Sequence, residues 1–364
     1  MQGRAGKTSI RPAEMKSATP TERLHGMPDI TPGKHPALMA GAPLDHSGVA
    51  RAERELAGRV WRTPVVRCAP LDAIAGARLW LKAENLQHGG SFKARGALLA
   101  VDELARDGSR GVIAQSTGNH AIAVALAARE HRLPAMLVLP ADAPPAKVRR
   151  IRDTGAEVVT AGTLLAERIA VVDELRQRYG YDAVDPYQNP RVVLGQATAT
   201  AELLGQVAAE GVRLDAVVVP IGGGSAIAGA CLAAEGSGTA VVGAEPESVP
   251  ALTAALNAGR PVTVPARYTI ADGLRPDRIG ALPFELAERA VTSVVTVPEP
   301  AIGEALMAAF LHARLVVEPA AATALAAGLA HAAEYGSDVG VLLSGGNVEP
   351  SLVTSMLAGR SGLD

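Results

Sequence analysis

Short apolar strands, each running into a glycine- or hydroxyl-rich loop and then into a helical stretch, constrain this chain more than any other feature. From residue 49 the pattern is regular. Val112 to Gln115 reads as a strand ending at Ser116, and Gly118 to Glu130 has helical spacing. Ala135 to Leu139 and Glu157 to Thr160 are further strands, with helices expected from Pro145 to Asp153 and from Leu164 to Arg178. Ala216 to Val219, Ala240 to Ala244, Ser293 to Val297 and Val339 to Leu343 continue the series. Strands alternating with helices predict an α/β fold, with one or two mostly parallel sheets covered by helices on both faces. Ligands in such folds gather at the carboxyl ends of the strands. Three loops at such ends therefore draw attention.

The first is Ser116-Thr117-Gly118-Asn119-His120, which opens a helix. Backbone N–H groups at a helix start bind anions such as a carboxylate, and Ser116, Thr117 and Asn119 add side-chain donors. An ordinary helix cap would use the same residue types. His120 has no companion at metal-ligand spacing, which makes a zinc site a poor reading. The second loop is Pro220-Ile221-Gly222-Gly223-Gly224-Ser225. Consecutive glycines before a helix let backbone amides converge on a phosphate. The spacing fits neither the dinucleotide nor the triphosphate fingerprint. The third is Ser344-Gly345-Gly346-Asn347, where a serine hydroxyl can meet an aromatic nitrogen, or simply close a turn.

An amine completes the set. After Met39 the chain has only the lysines Lys82, Lys93 and Lys147, and arginine supplies the rest of the positive charge. Lysine can lose its proton when desolvated, whereas arginine cannot. Lys93 lies in Gly89-Gly90-Ser91-Phe92-Lys93-Ala94-Arg95-Gly96, bracketed by glycine and flanked by an aromatic residue. Such an amine is a candidate for Schiff-base chemistry with a carbonyl. Lys82 falls in the strand before this loop and Lys147 on a helix among arginines. An amine, a carboxylate cradle, a phosphate cradle and a hydroxyl for a ring nitrogen are the parts that hold pyridoxal phosphate and an amino acid.

Composition removes other classes. The chain has 364 residues, 48% hydrophobic, which is ample for a large core. A formal net charge of -2 and 3% aromatics leave neither a basic footprint nor a stacking surface for nucleic acid. Cys68 and Cys231 read as inert core fillers. Neither a signal-peptide pattern nor a bilayer-length apolar run is seen, so the expected location is cytoplasmic, without a membrane partner. Residues 1–48, rich in Pro, Gly and charge, read as a flexible tail.

The ordered series of motifs resembles the fold-type II pyridoxal-phosphate enzymes, in particular the threonine dehydratase and serine racemase family. The match runs from Arg62-Thr63-Pro64 to Asn347. It passes through Lys82-Ala83-Glu84-Asn85-Leu86-Gln87, Ser91-Phe92-Lys93-Ala94-Arg95-Gly96, Ser116-Thr117-Gly118-Asn119-His120 and Gly195-Gln196-Ala197-Thr198. It continues through Gly222-Gly223-Gly224, Ala271-Asp272-Gly273, Glu318-Pro319 and Ser344-Gly345-Gly346-Asn347. The resemblance implies a tryptophan synthase β-like fold of two open twisted sheets. It implies a large cofactor-binding domain (49–110 plus 189–355), a small mobile substrate domain (111–188), a C-terminal tail (356–364) and a homodimer or homotetramer.

It also implies roles. Lys93 would bind the cofactor's aldehyde and move protons, Phe92 would pack on the pyridine ring, and Asn119 would hydrogen-bond the phenolic oxygen. Gly222, Gly223, Gly224 and Ser225 would hold the phosphate, and Ser344 would face the ring nitrogen. Ser116, Thr117 and His120 would line the substrate-carboxylate loop, and Arg168 falls where racemase-like members carry a substrate-side arginine. The implied chemistry is β-elimination from a hydroxy amino acid, giving a 2-oxo acid and ammonia. Threonine and serine are the default candidates, with a bulkier or more polar β-hydroxy amino acid, such as 3-hydroxyaspartate, left open. Thr117 keeps a hydroxyl where racemases carry serine, so racemisation stays open. β-Replacement by a synthase and a pyridoxal-phosphate-binding regulatory role stay open as well. Family members with a cation site use a glutamate and a nearby aspartate. Here Glu245 is followed by Val249 and Ala251, and no metal site of that form is expected.

Overall fold

The structure, a computed structural model, describes residues 43–116, 118–143, 145–163, 165–265 and 267–358. Most of the expected N-terminal tail and Thr117 lie outside the described residues. Among the described residues, ten strands form two sheets. The first has six strands: β1 (Val65–Val66), β2 (Arg78–Ala83), β7 (Ala216–Pro220), β8 (Ala240–Pro246), β9 (Val291–Val297) and β10 (Asp338–Leu343). Their order is β1-β2-β10-β7-β8-β9. The second holds β3 (Val112–Gln115), β4 (Ala135–Pro140), β5 (Glu157–Ala161) and β6 (Asp182–Ala183), in the order β5-β4-β3-β6. Every pairing is parallel except the short β1 against β2, so the predicted α/β fold with two mostly parallel sheets is the fold observed.

Strand composition follows burial. β7 and β10 lie inside the larger sheet, are buried along their whole length, and are mostly valine, leucine and alanine, with Asp338 and Gly340 in β10 and Pro220 ending β7. A parallel strand covered on both faces has no solvent side and needs no polar alternation. The edge strand β9 is mostly half-buried and carries Thr292, Ser293 and Thr296. One face of the six-stranded sheet is covered by α2 (Ala69–Ala75), α11 (Glu299–Ala308) and α12 (Pro319–Tyr335). The other is covered by α7 (Pro190–Ala209), α8 (Ser225–Ala234), α9 (Ala251–Ala258) and α10 (Ala281–Ala290). All ten residues of α8 are buried, which explains its lack of charge.

The four-stranded sheet packs against α3 (Lys93–Arg106) and α4 (Asn119–Glu130) on one side and α6 (Leu165–Tyr179) on the other. Helix α1 (His46–Leu56) starts within the stretch read as tail, with Asp45 accepting a hydrogen bond from Gly48 N–H as its cap. α5 (Pro145–Arg152) follows β4, and α13 (Pro350–Leu357) closes the described chain. No helix among the described residues is long and apolar enough to cross a membrane. The three singled-out loops begin at the carboxyl ends of β3, β7 and β10.

Candidate active site

Lys93 is the first residue of α3, so a helix start holds its amine. α3 crosses α7 at glycine: a methyl group on Gly195 would lie 2.4 Å from the Gly96 Cα. α7 meets α8 as closely, since a methyl group on Gly229 would lie 2.6 Å from the Ala197 nitrogen. Only such small residues let three helices approach this far, and the approach joins the first residues of α3 and α8. Lys93 Nζ donates to Ser225 Oγ at 2.8 Å and to the Pro186 carbonyl at 3.1 Å, and stands 5.0 Å from the centre of the Phe92 ring. Loss of hydration pushes its pKa down to about 8, against a weaker upward pull from Asp185. Roughly a tenth of such an amine is neutral at pH 7.

The glycine loop after β7 is bare backbone by steric necessity. Methyl groups on Gly222, Gly223 and Gly224 would lie 2.9 Å from the Gly273 carbonyl oxygen, 2.1 Å from the Tyr187 ring and 2.5 Å from Pro283. Gly224 also has a φ of 105°, a conformation that side chains disfavour. The loop leads straight into α8, so its N–H groups and the helix dipole form an anion cradle. The loop after β10 is tied to the start of α3: Phe92 N–H donates to the Ser344 carbonyl at 3.0 Å, and Gly346 N–H to the Gly90 carbonyl at 2.9 Å. Ser344, buried, is thereby set beside Phe92 and Lys93.

In the loop after β3, the Ser116 hydroxyl accepts from Gly118 N–H at 2.9 Å. Buried His120 donates through Nε2 to the Val184 carbonyl at 2.9 Å; the tautomer follows from that acceptor. Its Nδ1 is then a bare acceptor and has no partner. Burial, and next the charge of Lys93, push its pKa down to about 3, so the ring is neutral. Asn119 donates to Glu318 at 2.6 Å and accepts from Asn347 at 3.0 Å. Glu318 is buried with its Oε2 unpaired, and burial raises its pKa to about 7. Arg168 is 6% exposed, donates to the Thr163 carbonyl at 2.7 Å and leaves Nε unpaired. Burial lowers its pKa, and Asp142, Tyr187 and Arg275 are among its charged or polar neighbours.

Lys93, Phe92, Ser225, the three glycines, His120 and Ser344 thus share one site, with Asn119 bonded to the loop that carries Ser344. Arg168 is bonded to the Thr163 carbonyl rather than to any of these residues; Tyr187, whose ring lies against Gly223, is among the groups whose charge acts on it. Sequence reasoning missed the loop 184–187, which receives His120 and Lys93 on backbone carbonyls. The Asp185-Pro186 turn signal was its trace, but the preceding β6 has only two residues. Roles for Glu318 and Asn347 were also missed. Lys147 is on a helix, α5, as expected, and there it is 4% exposed, paired with Asp272, and its stem fills the space a side chain at Gly118 would need. Glu245, wholly buried, accepts from Leu252 and Thr253 N–H, both at 2.9 Å, and so caps α9. No group of three or more His, Cys, Asp or Glu among the described residues is arranged to hold a metal.

Residues 56–345 match the family model described as pyridoxal-phosphate dependent enzyme. The chain belongs to that family. It is similar to the threonine deaminase of T.th., with 40% identity, a TM-score of 0.80, and coverage of 84% of this chain and 99% of that one. The serine racemase of Dictyostelium discoideum gives 32% identity and a TM-score of 0.77 over 84% of this chain and 99% of that one. An L-threo-3-hydroxyaspartate ammonia-lyase of a Pseudomonas species is 37% identical over 86% of this chain and 98% of its own. The protein is a pyridoxal-phosphate-dependent enzyme of the ammonia-lyase and dehydratase kind. The residues present fit that cofactor: a backbone cradle at a helix start that no side chain could share, an amine of lowered pKa beside it, and buried polar atoms at His120 and Glu318 with no protein partner.

Proposed function

We propose that the protein eliminates water from a β-hydroxy amino acid that carries a second acidic group, of the 3-hydroxyaspartate type, releasing a 2-oxo acid and ammonia. The observation that carries the reaction is the Lys93 amine, 2.8 Å from the Ser225 hydroxyl at the end of the glycine cradle, where loss of hydration lowers its pKa. When bound, pyridoxal phosphate supplies an aldehyde that joins amines and a ring that takes up negative charge from the α-carbon. The amides of Gly222, Gly223 and Gly224 with the Ser225 hydroxyl bind the phosphate. Asn119 donates to the phenolic oxygen, Phe92 packs on the ring, and Ser344 offers a neutral hydroxyl to the ring nitrogen. Ser116, Thr117 and the N–H groups at the start of α4 would receive the substrate carboxylate, while the bare Nδ1 of neutral His120, which can only accept, would take a donor rather than that carboxylate. Lys93 Nζ would be the base that takes the α-proton.

Arg168 supports the acidic substrate. A buried guanidinium with an unpaired Nε matches a carboxylate better than a methyl group. The Pseudomonas relative acts on such a substrate by its name. We also propose that residues 111–188 move as a small domain. Lys147 to Asp272, Arg150 to Asn347 and Arg275 to Asp142 are bonds that join this segment to the larger sheet's loops. A homodimer or homotetramer is the proposed assembly, to be read by sedimentation. The central test measures 2-oxo acid release from threonine, serine and the 3-hydroxyaspartates, with borohydride reduction and mass mapping of the cofactor adduct. Turnover of the acidic substrates and an adduct on Lys93 are expected. Turnover of threonine alone removes the acidic-substrate reading, and an adduct elsewhere removes Lys93.

A further inference from the structure

Asn347 follows β10 and is 6% exposed. An amide side chain has a donor end and an acceptor end, and its neighbours decide which end faces where. Two neighbours of Asn347 leave no choice. The Gly89 carbonyl can only accept, and it lies 2.7 Å from Asn347 Nδ2. The Arg150 guanidinium can only donate, and it bonds to Asn347 Oδ1. Asn347 therefore turns N–H toward Asn119, whose Oδ1 accepts at 3.0 Å. This commits Asn119 in turn. Its Nδ2 points the other way, where Glu318 Oε1 takes one of its two hydrogens at 2.6 Å. The second hydrogen is left for a ligand.

Glu318 alone would not settle this orientation. A carboxylate accepts from Asn119 Nδ2, but a protonated carboxyl could equally donate to Asn119 Oδ1. The fixed direction has to come from Asn347. Arg150 sits on α5 beside the four-stranded sheet, whereas Asn347 belongs to the loop beyond β10 of the six-stranded sheet, so the chain of bonds spans both.

We infer that Asn347, backed by Arg150, is a positioning residue that fixes Asn119 as a hydrogen-bond donor toward the cofactor's phenolic oxygen. The inference rests on the proposed placement of Asn119 at that oxygen. A donor fixed there favours the deprotonated oxygen and strengthens cofactor binding, whereas an amide free to turn would not.

The test titrates cofactor-free protein with pyridoxal phosphate, reading affinity and absorption band. The variants are Asn119→Ala, Asn347→Asp, Arg150→Met and Arg150→Lys, singly and in the Asn119→Ala background. Asn347→Asp keeps the shape but cannot donate. Arg150 is exposed, so its variants test the relay even if Asn347→Asp fails to fold. Asn119→Ala is expected to weaken binding at least about tenfold, Asn347→Asp about tenfold and Arg150→Met about threefold. Arg150→Lys, which keeps a donor, should restore most of the loss. In the Asn119→Ala background both losses should shrink below about twofold, since a residue acting through Asn119 has nothing left to act on. Equal losses in both backgrounds, or no loss in the wild-type background, overturn the inference while leaving Asn119 in place. Wild-type affinity and band for Asn119→Ala overturn the placement of Asn119, and the inference with it.

Discussion

The two sides of α3 handle buried polarity in opposite ways. Behind the helix, Arg95 and Lys82 are both fully buried and saturated with partners. Arg95 holds Glu84 through two bonds of 2.8 Å and Glu202 through two of 2.9 Å. Lys82 donates to the Thr63 carbonyl, Glu202 and Gln206 at 2.7–2.8 Å. Toward the Lys93 end, His120 Nδ1 and Glu318 Oε2 are buried without a partner, as is Arg168 Nε on α6, which covers the other face of the four-stranded sheet. A buried polar group left unpaired costs about 1–3 kcal/mol, so such atoms persist where a ligand completes them. Burial of charge alone therefore does not mark the site, and neither does incomplete pairing alone, since Arg191, Gln196 and Thr253 also bury unpaired polar atoms; at His120 and Glu318 it coincides with the loops around the Lys93 amine.

One pair of substitutions separates the two sides at once. Lys93→Ala should reduce turnover by roughly a thousandfold or more while leaving the cofactor-free protein's melting temperature nearly unchanged. Arg95→Met, two residues along the same helix, should do the reverse. Removing one partner of a buried pair costs about 3–5 kcal/mol because the other charges stay buried and unpaired. Chemical denaturation should show that loss, while folded Arg95→Met should retain most of its turnover. A catalytic defect in Arg95→Met without loss of stability would erase the distinction between the two sides.

This division was half-legible in the sequence. The strand ends were readable because valine runs stop at glycine or serine, and with them came Lys93 and the three loops. The paired partners were not readable. Asn119 and Glu318 are 199 residues apart, and Arg95 and Glu202 are 107 apart. Nothing local in Glu318-Pro319 marks its carboxyl as facing the site rather than capping α12. Lys147 shows the same limit: the sequence puts it on a helix among arginines, and only the fold brings Asp272 and Gly118 to it. β6 escaped notice because two residues carry no periodicity, yet the loop it launches touches both Lys93 and His120.

Glu318 gives the next effect in size. Its folded pKa of about 7 stands above its ordinary value of 4.5, so between those values the folded state holds a proton that the unfolded chain has lost. Stability contributed by this group is full below about pH 4.5 and is lost as pH rises toward 7. Glu318→Gln cannot titrate. The stability difference between wild type and Glu318→Gln should therefore shift against the wild type by on the order of 1–3 kcal/mol across that window. Lys93 runs the other way. With its pKa lowered from 10.5 to about 8, the unfolded state holds the extra proton between those values, and stability rises with pH there. The rate of cofactor capture by the cofactor-free protein should rise up to about pH 8 and then level, as the neutral amine becomes the main form. Stopped-flow absorbance reads it directly. A capture rate flat from about pH 6 to about pH 9 would remove the lowered pKa of Lys93.

Arg168 should give the most modest change, and it tests what incomplete pairing means. Its guanidinium is bonded at one nitrogen to the Thr163 carbonyl and is free at Nε. If that free position serves the fold, Arg168→Met should lower the melting temperature and affect all substrates alike. If it serves a second carboxylate on the substrate, the loss should be selective. kcat/KM for a 3-hydroxyaspartate should fall about tenfold, the worth of roughly one charge-assisted hydrogen bond, while the value for serine changes less than about twofold. Arg168→Lys keeps the charge but not the planar fork, and should recover only part of the loss. The selectivity ratio is the informative readout, because a displaced helix would degrade both substrates together. Equal losses on the two substrates would place Arg168 with Arg95 and Lys82, among the charges that hold the fold.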